Sequence, residues 1–498
     1  MSAPVEGARA AALERLGVRR FDLLVVGGGI IGAGVAELAA RHGLEVALVE
    51  RDDFGSGTSS ASSKLVHGGL RYLRTGQFGL VREALREVRT LSGIVAPHLV
   101  RRLSFVLPIY RGGPYGRVPI RGALWSYAGL TGVISERGRM ITPVAAAVLV
   151  PALRTEGLRA AGLYADAQTD DARLCLTVLR GAAAAGAVAL NRAELVGLEQ
   201  GPVAHVRDVA GGEVVAVAAR AVVNAAGPWV DDVRRLEDPL AGTSVTLSKG
   251  AHLVLEPLGD WAALTIPVDR TRVVFAVPWA GRLLLGTTDT PFEGDARELR
   301  PSEDDERQIL AEAGLAIGGE RLAGAAIHAR FAGVRVLPAG ARETVRAPRE
   351  TMFSRGPLGM LSVAGGKLTT YRRVALAALH ALRPEVALRR IDRAPRPLPG
   401  AADPEVVADA LVRQAPDLDP ATARHLARTY GTLAFEVLAC GPLEPLAGGP
   451  EVEAQVVYAR DREWALTVED VLRRRTTVTL SGRATEEVRA RVEELLRS

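Results

Sequence analysis

The chain has 498 residues, of which 48% are hydrophobic and 24% are charged, and its formal net charge is only +5. These proportions are typical of a globular protein of roughly three folding units, at about 150 residues each, and they exclude a disordered, collagenous or coiled-coil chain. The small excess of Lys and Arg does not indicate binding to nucleic acid. With only two cysteines, Cys175 and Cys440, the chain has no disulfide framework, which favours a reducing compartment.

The first predicted elements form a βαβ unit. Residues 1–20 are predicted to be a short amphipathic lead-in, and the apolar run 21–26 has the length of a buried parallel strand. A glycine-rich turn then enters an Ala-rich helix that ends near Gly43, and a second strand follows at 45–50. Two strands joined by a helix within about thirty residues are typical of the βαβ motif.

Three glycines at the turn match the dinucleotide-binding fingerprint GxGxxG. Gly27 permits the tight turn, Gly29 lets the backbone approach a pyrophosphate, and Gly32 lets the helix pack against the strand. Glu50, at the end of the second strand, is placed to bind ribose hydroxyls and favours an adenosine ribose without a 2′-phosphate. The pattern predicts a dinucleotide whose phosphates lie at the helix N-terminus.

After Glu50 the alternation of strand and helix stops. Residues 51–69 form a long Gly-, Ser- and Thr-rich loop of a kind that is usually functional, and 97–127 is rich in Pro, Gly and Arg. Further helices are predicted at 78–92, 170–185, 303–315 and 368–380, and further strands at 187–190, 214–217, 219–225, 245–247, 252–255, 273–277, 283–286 and 360–363. The strands between 244 and 288 predict a mostly antiparallel sheet, 393–400 is a predicted Pro-rich linker, and 403–497 is predicted to be helical.

Two later glycine turns bear on which dinucleotide binds. A simple nicotinamide enzyme is expected to continue with another βα unit directly after Glu50, and this chain continues with a loop. The later turns, at 224–227 and 365–370, are far along the chain, and a long flavin needs contacts from distant segments. FAD bound across an interrupted domain is therefore favoured over NAD.

One segment carries a more specific pattern. The run GTSSASSKLVHGGLRYL at 57–73 closely resembles the FAD-dependent glycerol-3-phosphate dehydrogenases. The same resemblance extends to NAAGPW at 224–229, GTTD at 286–289, AGVR at 332–335 and GGKLTTYR at 365–372, in matching order and spacing. The tail, with RTYG at 428–431 and Glu463-Trp464, is similar to the C-terminal domain of that family.

The resemblance implies an α/β plus antiparallel β fold, with a Rossmann-like FAD-binding domain of the D-amino-acid-oxidase type, a substrate domain and a C-terminal helical domain. The expected FAD-binding domain comprises 18–95, 150–235 and 345–392, the substrate domain 96–149 and 236–344, and the C-terminal domain 401–498.

The resemblance also implies an activity. The family oxidises sn-glycerol 3-phosphate to dihydroxyacetone phosphate by hydride transfer to FAD, and electrons pass on to a membrane quinone. The enzyme is then expected in the cytoplasm, bound peripherally to the anionic inner face of the cell membrane, with a homodimer as an open alternative to a monomer.

His67 is the first candidate for the base that accepts the C2 hydroxyl proton, because its ordinary pKa of about 6.5 suits that role. The alternative is that His67 only binds the cofactor or orients the loop. The substrate phosphate carries nearly two negative charges and requires several cations. By resemblance, the candidates for binding it are Arg71, Arg335, Arg349 and Lys367, with Tyr72 as a hydroxyl partner. Arg335 has a second candidate role, which is to stabilise the developing alkoxide.

Several further residues are candidates for cofactor binding. Hydroxyl side chains in the loop after Glu50 are candidates for hydrogen bonds to the pyrophosphate or the flavin. Backbone N–H groups in the later glycine turns are candidates for bonds to the flavin ring, and the backbone of Ala193 is a candidate for bonds to the adenine. In addition to Gly27, Gly29, Gly32 and Glu50, these candidates are Thr58, Ser59, Ser63, Ala193, Gly227, Gly366, Lys367, Leu368 and Thr369. No cluster has the spacing of metal ligands, so no metal is predicted.

Three alternatives to the leading function stay open. They are a glycerol-3-phosphate oxidase that uses oxygen, an amine or amino-acid oxidase of the same fold, and a non-catalytic flavin-binding protein. Every apolar run of about 18 residues contains charges or several glycines, so no membrane-spanning helix is predicted. The basic stretches 79–91 and 471–475 are candidates for contact with anionic lipid.

Overall fold

The computed structural model describes residues 5–131, 138–340 and 351–498. Its strands are β1 (Arg20–Val26), β2 (Val46–Val49), β3 (Leu65–Val66), β4 (Arg101–Tyr110), β5 (Arg139–Ile141), β6 (Leu158–Gln168), β7 (Val188–Leu190), β8 (Ala193–Glu199), β9 (Val203–Asp208), β10 (Val214–Asn224), β11 (Val245–Leu255), β12 (Ala263–Pro267), β13 (Val273–Trp279), β14 (Arg282–Gly286), β15 (Thr290–Phe292), β16 (Ile327–Pro338), β17 (Met352–Arg355) and β18 (Leu361–Ala364).

The α-helices are α1 (Val5–Val18), α2 (Ile30–Arg41), α3 (Phe78–Thr90), α4 (Arg117–Thr131), α5 (Pro143–Leu149), α6 (Asp171–Ala184), α7 (Val230–Glu237), α8 (Glu303–Ala313), α9 (Gly319–Ala323), α10 (Tyr371–Ala381), α11 (Pro404–Gln414), α12 (Pro420–Tyr430), α13 (Ala434–Leu438), α14 (Ala454–Arg462), α15 (Val468–Asp470) and α16 (Glu486–Arg497). Within the described ranges, none of them combines the length and apolar character that crossing a bilayer requires.

The first sheet has the predicted βαβ unit at its centre. Its order is β17-β18-β10-β1-β2-β7, and the hairpin β8-β9 extends it beside β10. β1 pairs in parallel with both β2 and β10, and its residues Leu23, Leu24 and Val25 are fully buried. Apolar strands buried on both faces are typical of a parallel sheet covered by helices, and here α2, α6 and α10 pack together on it.

The second sheet is mostly antiparallel, as predicted, and has the order β15-β11-β14-β13-β12-β4-β6-β3. β16 pairs with β11, β5 pairs with β6, and the contact of β12 with β4 is parallel. The strands predicted at 245–247 and 252–255 are one continuous strand, β11. The polar residues between them are compatible with a buried strand because Ser248 donates to Asp289 and Lys249 pairs with Asp305 at 2.6 Å.

The expected domain ranges need one correction. β3 and β6 fall inside 18–95 and 150–235, which were assigned to the FAD-binding domain, but both strands pair in the second sheet. β6 pairs along its length with β4, so its place is decided by a partner about fifty residues away rather than by its own pattern. The domain boundaries otherwise stay a proposal.

The C-terminal region is helical, and its helices α11–α16 enclose two apolar clusters of their own. It contacts the loop after β2 and helix α6 through buried ion pairs of Arg475 with Asp53 and of Arg173 with Glu463. The stretch 471–475 was a candidate for lipid contact, and this prediction is wrong. Val471 and Leu472 are buried in one of the apolar clusters of the C-terminal region, and Arg475 is buried against Asp53, so the stretch cannot lie on a membrane.

Candidate active site

The turn between β1 and α2 is shaped by its glycines. Gly27 has a φ of +109°, and a Cβ atom there would lie 2.6 Å from the carbonyl oxygen of Ala225. A Cβ atom on Gly32 would lie 1.9 Å from the carbonyl oxygen of Gly27, so α2 packs against the turn only because Gly32 has no side chain. The N-cap residue of α2 is Gly29, which has no side chain to cap the helix itself, and this helix N-terminus is suited to bind an anion such as a pyrophosphate.

The variant Gly32→Ala is expected to lose its flavin and to have a free energy of unfolding lower by about 3 kcal/mol, because the added methyl group meets a backbone carbonyl that cannot rotate away. Flavin content per chain, from visible absorbance, and a urea titration measure both effects. Gly79→Ala in α3 is the matched control, because nothing lies within 4 Å of a Cβ atom there. A Gly32→Ala protein with full flavin content would contradict the expected packing.

A cavity of about 400 Å³ lies beside the turn, and most of the predicted cofactor-binding residues line it. Those lining residues are Gly27, Gly29, Glu50, Thr58, Ser59, Ala193, Gly227, Gly366, Lys367 and Leu368. Trp229 and Arg335 also belong to the wall. The cavity therefore joins an anion-binding helix end, a ribose-binding acid and main chain from distant segments, and this donor set fits FAD.

Glu50 and Ala193 are adjacent in the wall of this cavity. The Glu50 carboxylate accepts from the backbone N–H of Gly28 at 2.7 Å and of Asp52 at 2.8 Å. Burial raises the pKa of Glu50, and these two N–H groups partly oppose the shift. Ala193 donates its N–H to the Glu50 carbonyl at 2.8 Å, so this N–H is not available to an adenine.

The hydroxyls of Thr58 and Ser59 connect three elements around the cavity. Thr58 Oγ1 donates to the carbonyl of Val334 in β16 at 2.8 Å, and Ser59 Oγ accepts from the backbone N–H of Ile30 at 2.9 Å. The loop after Glu50 is thus fixed to the start of α2 and to β16. Both hydroxyls keep acceptor capacity toward a ligand.

A second cavity, of about 420 Å³, adjoins the first, and Arg335 lines both. His67, Ser63, Arg272 and Asp289 are among its polar lining residues. Leu65, Phe105, Phe275 and Ile120 are among its apolar lining residues. The structure therefore brings both predicted catalytic residues, His67 and Arg335, to one cavity beside the cofactor site.

Arg335 is held in place by the GTTD segment. Its Nη1 donates to the Thr288 carbonyl at 3.2 Å, its Nη2 donates to Thr287 Oγ1 at 3.1 Å, and Asp289 lies 3.5 Å from Nη1. A Cβ atom on Gly250 of β11 would lie 2.8 Å from Nη2, so the glycine makes room for the guanidinium. The two family motifs GTTD and AGVR are therefore in direct contact through Arg335.

The other predicted cations are only partly covered by the described residues. Lys367 Nζ lies 4.2 Å from the ring centroid of Tyr72, which brings two predicted substrate-binding residues together. Arg71 lies in the short helix Leu70–Thr75, but its side chain is outside the described part of the structure. Arg349 lies outside the described residues altogether.

Thr369 supports the loop that carries His67 rather than lining the first cavity. Its Oγ1 accepts from the backbone N–H of His67 at 3.2 Å. The ring of His67 lies 6.4 Å from the ring of Phe275 between centroids. The GGKLTT turn and the loop after Glu50, about three hundred residues apart, therefore meet at the proposed base.

Ser63 faces the second cavity and is bonded to His252, a residue that sequence reasoning missed. Ser63 Oγ lies 2.9 Å from Nε2 of His252, whose ring stacks on Phe331 with centroids 4.8 Å apart. Burial, together with the charges of Arg335 and Lys64, lowers the pKa of His252 to about 3, so its ring is neutral in the working range. The only signal was a polar residue in the predicted strand 252–255.

Lys64 was also missed, although it lies inside the family motif. Its Nζ pairs with Asp171 in the interior and donates to the Ser60 carbonyl at 3.0 Å. Asp171 also accepts from the backbone N–H and the hydroxyl of Ser62, at 2.9 and 2.7 Å. This buried pair fixes the loop between the two cavities. Among the described residues, no three His, Cys, Asp or Glu side chains are grouped as metal ligands would be.

Two family models match most of the chain. Residues 22–372 match the family described as FAD dependent oxidoreductase. Residues 394–498 match the one described as C-terminal domain of alpha-glycerophosphate oxidase. Neither match covers residues 373–393, and the predicted linker at 393–400 overlaps the start of the second match.

Named relatives are similar over nearly the whole length. Glycerol-3-phosphate dehydrogenase 2 of Mycobacterium tuberculosis is 36% identical over 95% of this chain and 83% of its own. Aerobic glycerol-3-phosphate dehydrogenase of Staphylococcus epidermidis is 32% identical over 92% of this chain and 86% of its own. The crystal structure of the glycerol-3-phosphate dehydrogenase from Bacillus halodurans, complexed with FAD, has a TM-score of 0.76 and 28% identity and covers 99% of this chain and 97% of its own.

These matches confirm the predicted D-amino-acid-oxidase type of fold and the predicted cofactor, FAD. With a relative above 30% identity along almost the entire chain, and with the fold and the cofactor-binding cavity in agreement, this chain belongs to the family of FAD-dependent glycerol-3-phosphate dehydrogenases.

Proposed function

We propose that this chain oxidises sn-glycerol 3-phosphate to dihydroxyacetone phosphate. The observation that carries the proposal is that Arg335 lines both cavities, so the cavity that contains His67 adjoins the cavity suited to FAD. The names of the Mycobacterium and Staphylococcus relatives support the same substrate.

The reaction removes the hydroxyl proton and a hydride from C2 of the substrate. FAD, when bound, supplies the acceptor for the hydride. His67 accepts the hydroxyl proton, since it lines the second cavity and its loop is held by Thr369. Arg335 stabilises the charge that develops on the oxygen, since its guanidinium is fixed by Thr287 and Thr288 before substrate arrives.

The substrate phosphate requires paired cations, because removing an ion from water is costly without them. Lys367, beside the ring of Tyr72, is proposed to bind it from the side of the GGKLTT turn. Arg71 and Arg349 complete the proposed set. The apolar side chains of Leu65, Phe105 and Phe275 in the same cavity limit water near the reacting carbon.

We further propose that a membrane quinone takes the electrons and that the enzyme binds peripherally to the inner face of the cell membrane. The name aerobic glycerol-3-phosphate dehydrogenase, carried by the Staphylococcus relative, supports use in an oxygen-respiring cell. The oxidase alternative has a specific observation in its favour, because the C-terminal family is described from an alpha-glycerophosphate oxidase. Reoxidising the reduced enzyme with a quinone analogue, and separately with oxygen alone, decides between the two.

Anaerobic addition of glycerol 3-phosphate to the purified holoenzyme is expected to bleach the visible absorption band of oxidised flavin within one turnover. Glycerol is the matched control, because it offers the same secondary alcohol without the phosphate, and it should leave the band nearly unchanged. Glycine tests the amino-acid oxidase alternative. A band that persists with glycerol 3-phosphate would contradict the proposed function, and persistence with every compound would favour a non-catalytic flavin protein.

A further inference from the structure

A third cavity lies outside the candidate active site. Its volume of about 530 Å³ exceeds that of either active-site cavity, and residues of α2, α3, α10 and the segment 392–395 form most of its wall. None of its lining residues also lines the FAD cavity or the cavity of His67. An occupant of this third cavity would therefore be neither the cofactor nor the substrate.

The wall of the third cavity is strongly cationic. Six arginines line it, namely Arg41, Arg86, Arg89, Arg372, Arg373 and Arg393. Three acids line it as well, namely Glu37, Glu87 and Asp392, so the lining residues carry a formal net charge of +3. The planar guanidinium group binds phosphate through two parallel hydrogen bonds, so the wall has the chemistry of a site for phosphorylated ligands.

Two of the three acids already have a cationic partner. Arg372 Nη1 lies 2.9 Å from Glu87 Oε2, and Arg396, which is not part of the wall, lies 3.0 Å from Asp392. These carboxylates are therefore occupied, and they do not neutralise the remaining arginines of the wall.

Arg86 and Arg89 have no such partner. Within the ranges that the structure describes, neither side chain makes a hydrogen bond or an ion pair. Arg41 is incompletely satisfied, because its Nη1 lies 3.7 Å from Glu37 and its Nη2 donates to the Asp392 carbonyl at 3.5 Å. The buried Nε of Arg41 has no partner among the described residues. Guanidinium donors that lack acceptors in the wall of a cavity are groups that the oxygens of an anionic ligand would satisfy.

We propose that the third cavity binds a small soluble ligand that carries two phosphate groups and no nucleobase. One phosphate group carries about −1.5 to −2 at neutral pH, so two groups carry about −3 to −4 and balance the charge of the wall. A nucleobase is typically held by stacking on an aromatic ring. Tyr371 is the only aromatic residue in the described wall, and it is 2% exposed, so its ring offers no face for a base.

The test is isothermal titration calorimetry of the holoenzyme with inorganic pyrophosphate in magnesium-free buffer. FAD then fills the dinucleotide site, so pyrophosphate cannot bind there. We expect saturable binding at one site per chain that weakens as KCl is added, because salt screens the attraction between the charges. Orthophosphate is the arm with a single phosphate group, and it should bind at least about ten-fold more weakly because it satisfies fewer of the guanidinium donors.

The variants Arg86→Glu and Arg89→Glu are each expected to weaken pyrophosphate binding at least about ten-fold, because each reverses a charge in the wall. Arg413→Glu is the matched control, since it makes the same change at an exposed position of α11. Arg335→Ala removes a cation from both active-site cavities and should leave pyrophosphate binding unchanged. Flavin content and the rate of anaerobic bleaching by glycerol 3-phosphate should stay unchanged in Arg86→Glu and Arg89→Glu, which shows that both variants fold.

The proposal is overturned if the unchanged protein shows no saturable binding up to millimolar pyrophosphate, if Arg86→Glu and Arg89→Glu bind as tightly as it does, or if Arg413→Glu loses binding equally. Loss of binding in Arg335→Ala would overturn it by placing the ligand in the active-site cavities. Equal affinity for orthophosphate would overturn the requirement for two phosphate groups. Failure of the unchanged protein to bleach would defeat the proposed function, whereas calorimetry would still decide the third cavity.

Discussion

Replacing Arg335 with alanine is expected to leave flavin content unchanged and to lower turnover with glycerol 3-phosphate by about two or more decades. The guanidinium is positioned by the Thr288 carbonyl and Thr287 Oγ1, and only 23% of the side chain is exposed. A hydrogen-bond donor that is already in position stabilises the charge that develops in the transition state without having to reorient. Alanine has no such donor, so this stabilisation of the transition state is lost. Steady-state rates with an artificial acceptor, together with stopped-flow reduction of the flavin, measure the loss.

The same variant distinguishes the two candidate roles of Arg335. If it stabilises the developing alkoxide, kcat and kcat/KM fall together, whereas a residue that only binds the phosphate raises KM with little change in kcat. Arg330→Ala is the matched control, since Arg330 lies on the same strand, is 48% exposed and pairs with Glu306 at 2.6 Å. Unchanged kinetics in Arg335→Ala would remove this residue from the site.

Replacing Arg475 with methionine is expected to lower the free energy of unfolding by about 3 kcal/mol, because it leaves the Asp53 carboxylate buried and short of a partner. Arg475 and Asp53 are both fully buried, and Arg475 Nη2 lies 2.9 Å from Asp53 Oδ1. Arg474 keeps one contact with Asp53, so the expected loss lies at the lower end of the range for a broken buried pair. A urea titration followed by circular dichroism measures it.

Loss of this pair should also weaken flavin binding. Asp53 lies three residues after Glu50, and Gly55 donates its N–H to the Gly28 carbonyl at 3.0 Å, so the loop around Asp53 supports the dinucleotide turn. The exposed Arg413→Met in α11 is the control and should change neither stability nor flavin content. Equal stability of Arg475→Met and the unchanged protein would show that the C-terminal domain docks by other contacts.

The pH dependence of stability provides a second test of the same pair. Burial alone would raise the pKa of Asp53, but the charges of Arg475 and Arg474 hold it far below its usual range. A depressed pKa in the folded state stabilises the protein above the unfolded value, about 3.9, and the contribution is lost as pH falls below that value. Arg475→Met should therefore lose less stability than the unchanged protein between about pH 4 and pH 2.

The dinucleotide-binding turn and its acid could be predicted from sequence because they lie in one short segment. β1, α2 and β2 follow one another directly, and each glycine is required by a contact with its own neighbours, such as Gly32 with the Gly27 carbonyl. The motifs shared with the family similarly identified His67, Arg335 and Lys367 as candidate site residues. Their roles stay proposals, but the structure places all three along the two adjoining cavities.

Residues that act through distant partners were not predictable. His252 contacts Ser63 from a strand nearly two hundred residues away, and nothing in its local pattern distinguishes it from a core histidine. The pairs of Lys64 with Asp171 and of Arg475 with Asp53 join segments more than one hundred and more than four hundred residues apart. The stretch 471–475 even suggested a basic surface, because a sequence shows charge but not burial.

The amino-acid sequence by itself therefore determined the elements whose causes are local, namely the glycine turn, the alternating and apolar strands, the helical tail and the cofactor class. Only the tertiary structure decided which strand pairs with which, which arginines are buried, and which arginines line the third cavity. The physical reason is that a charged or polar side chain is stable inside a protein only with a partner, and that partner is chosen by the packing of remote segments.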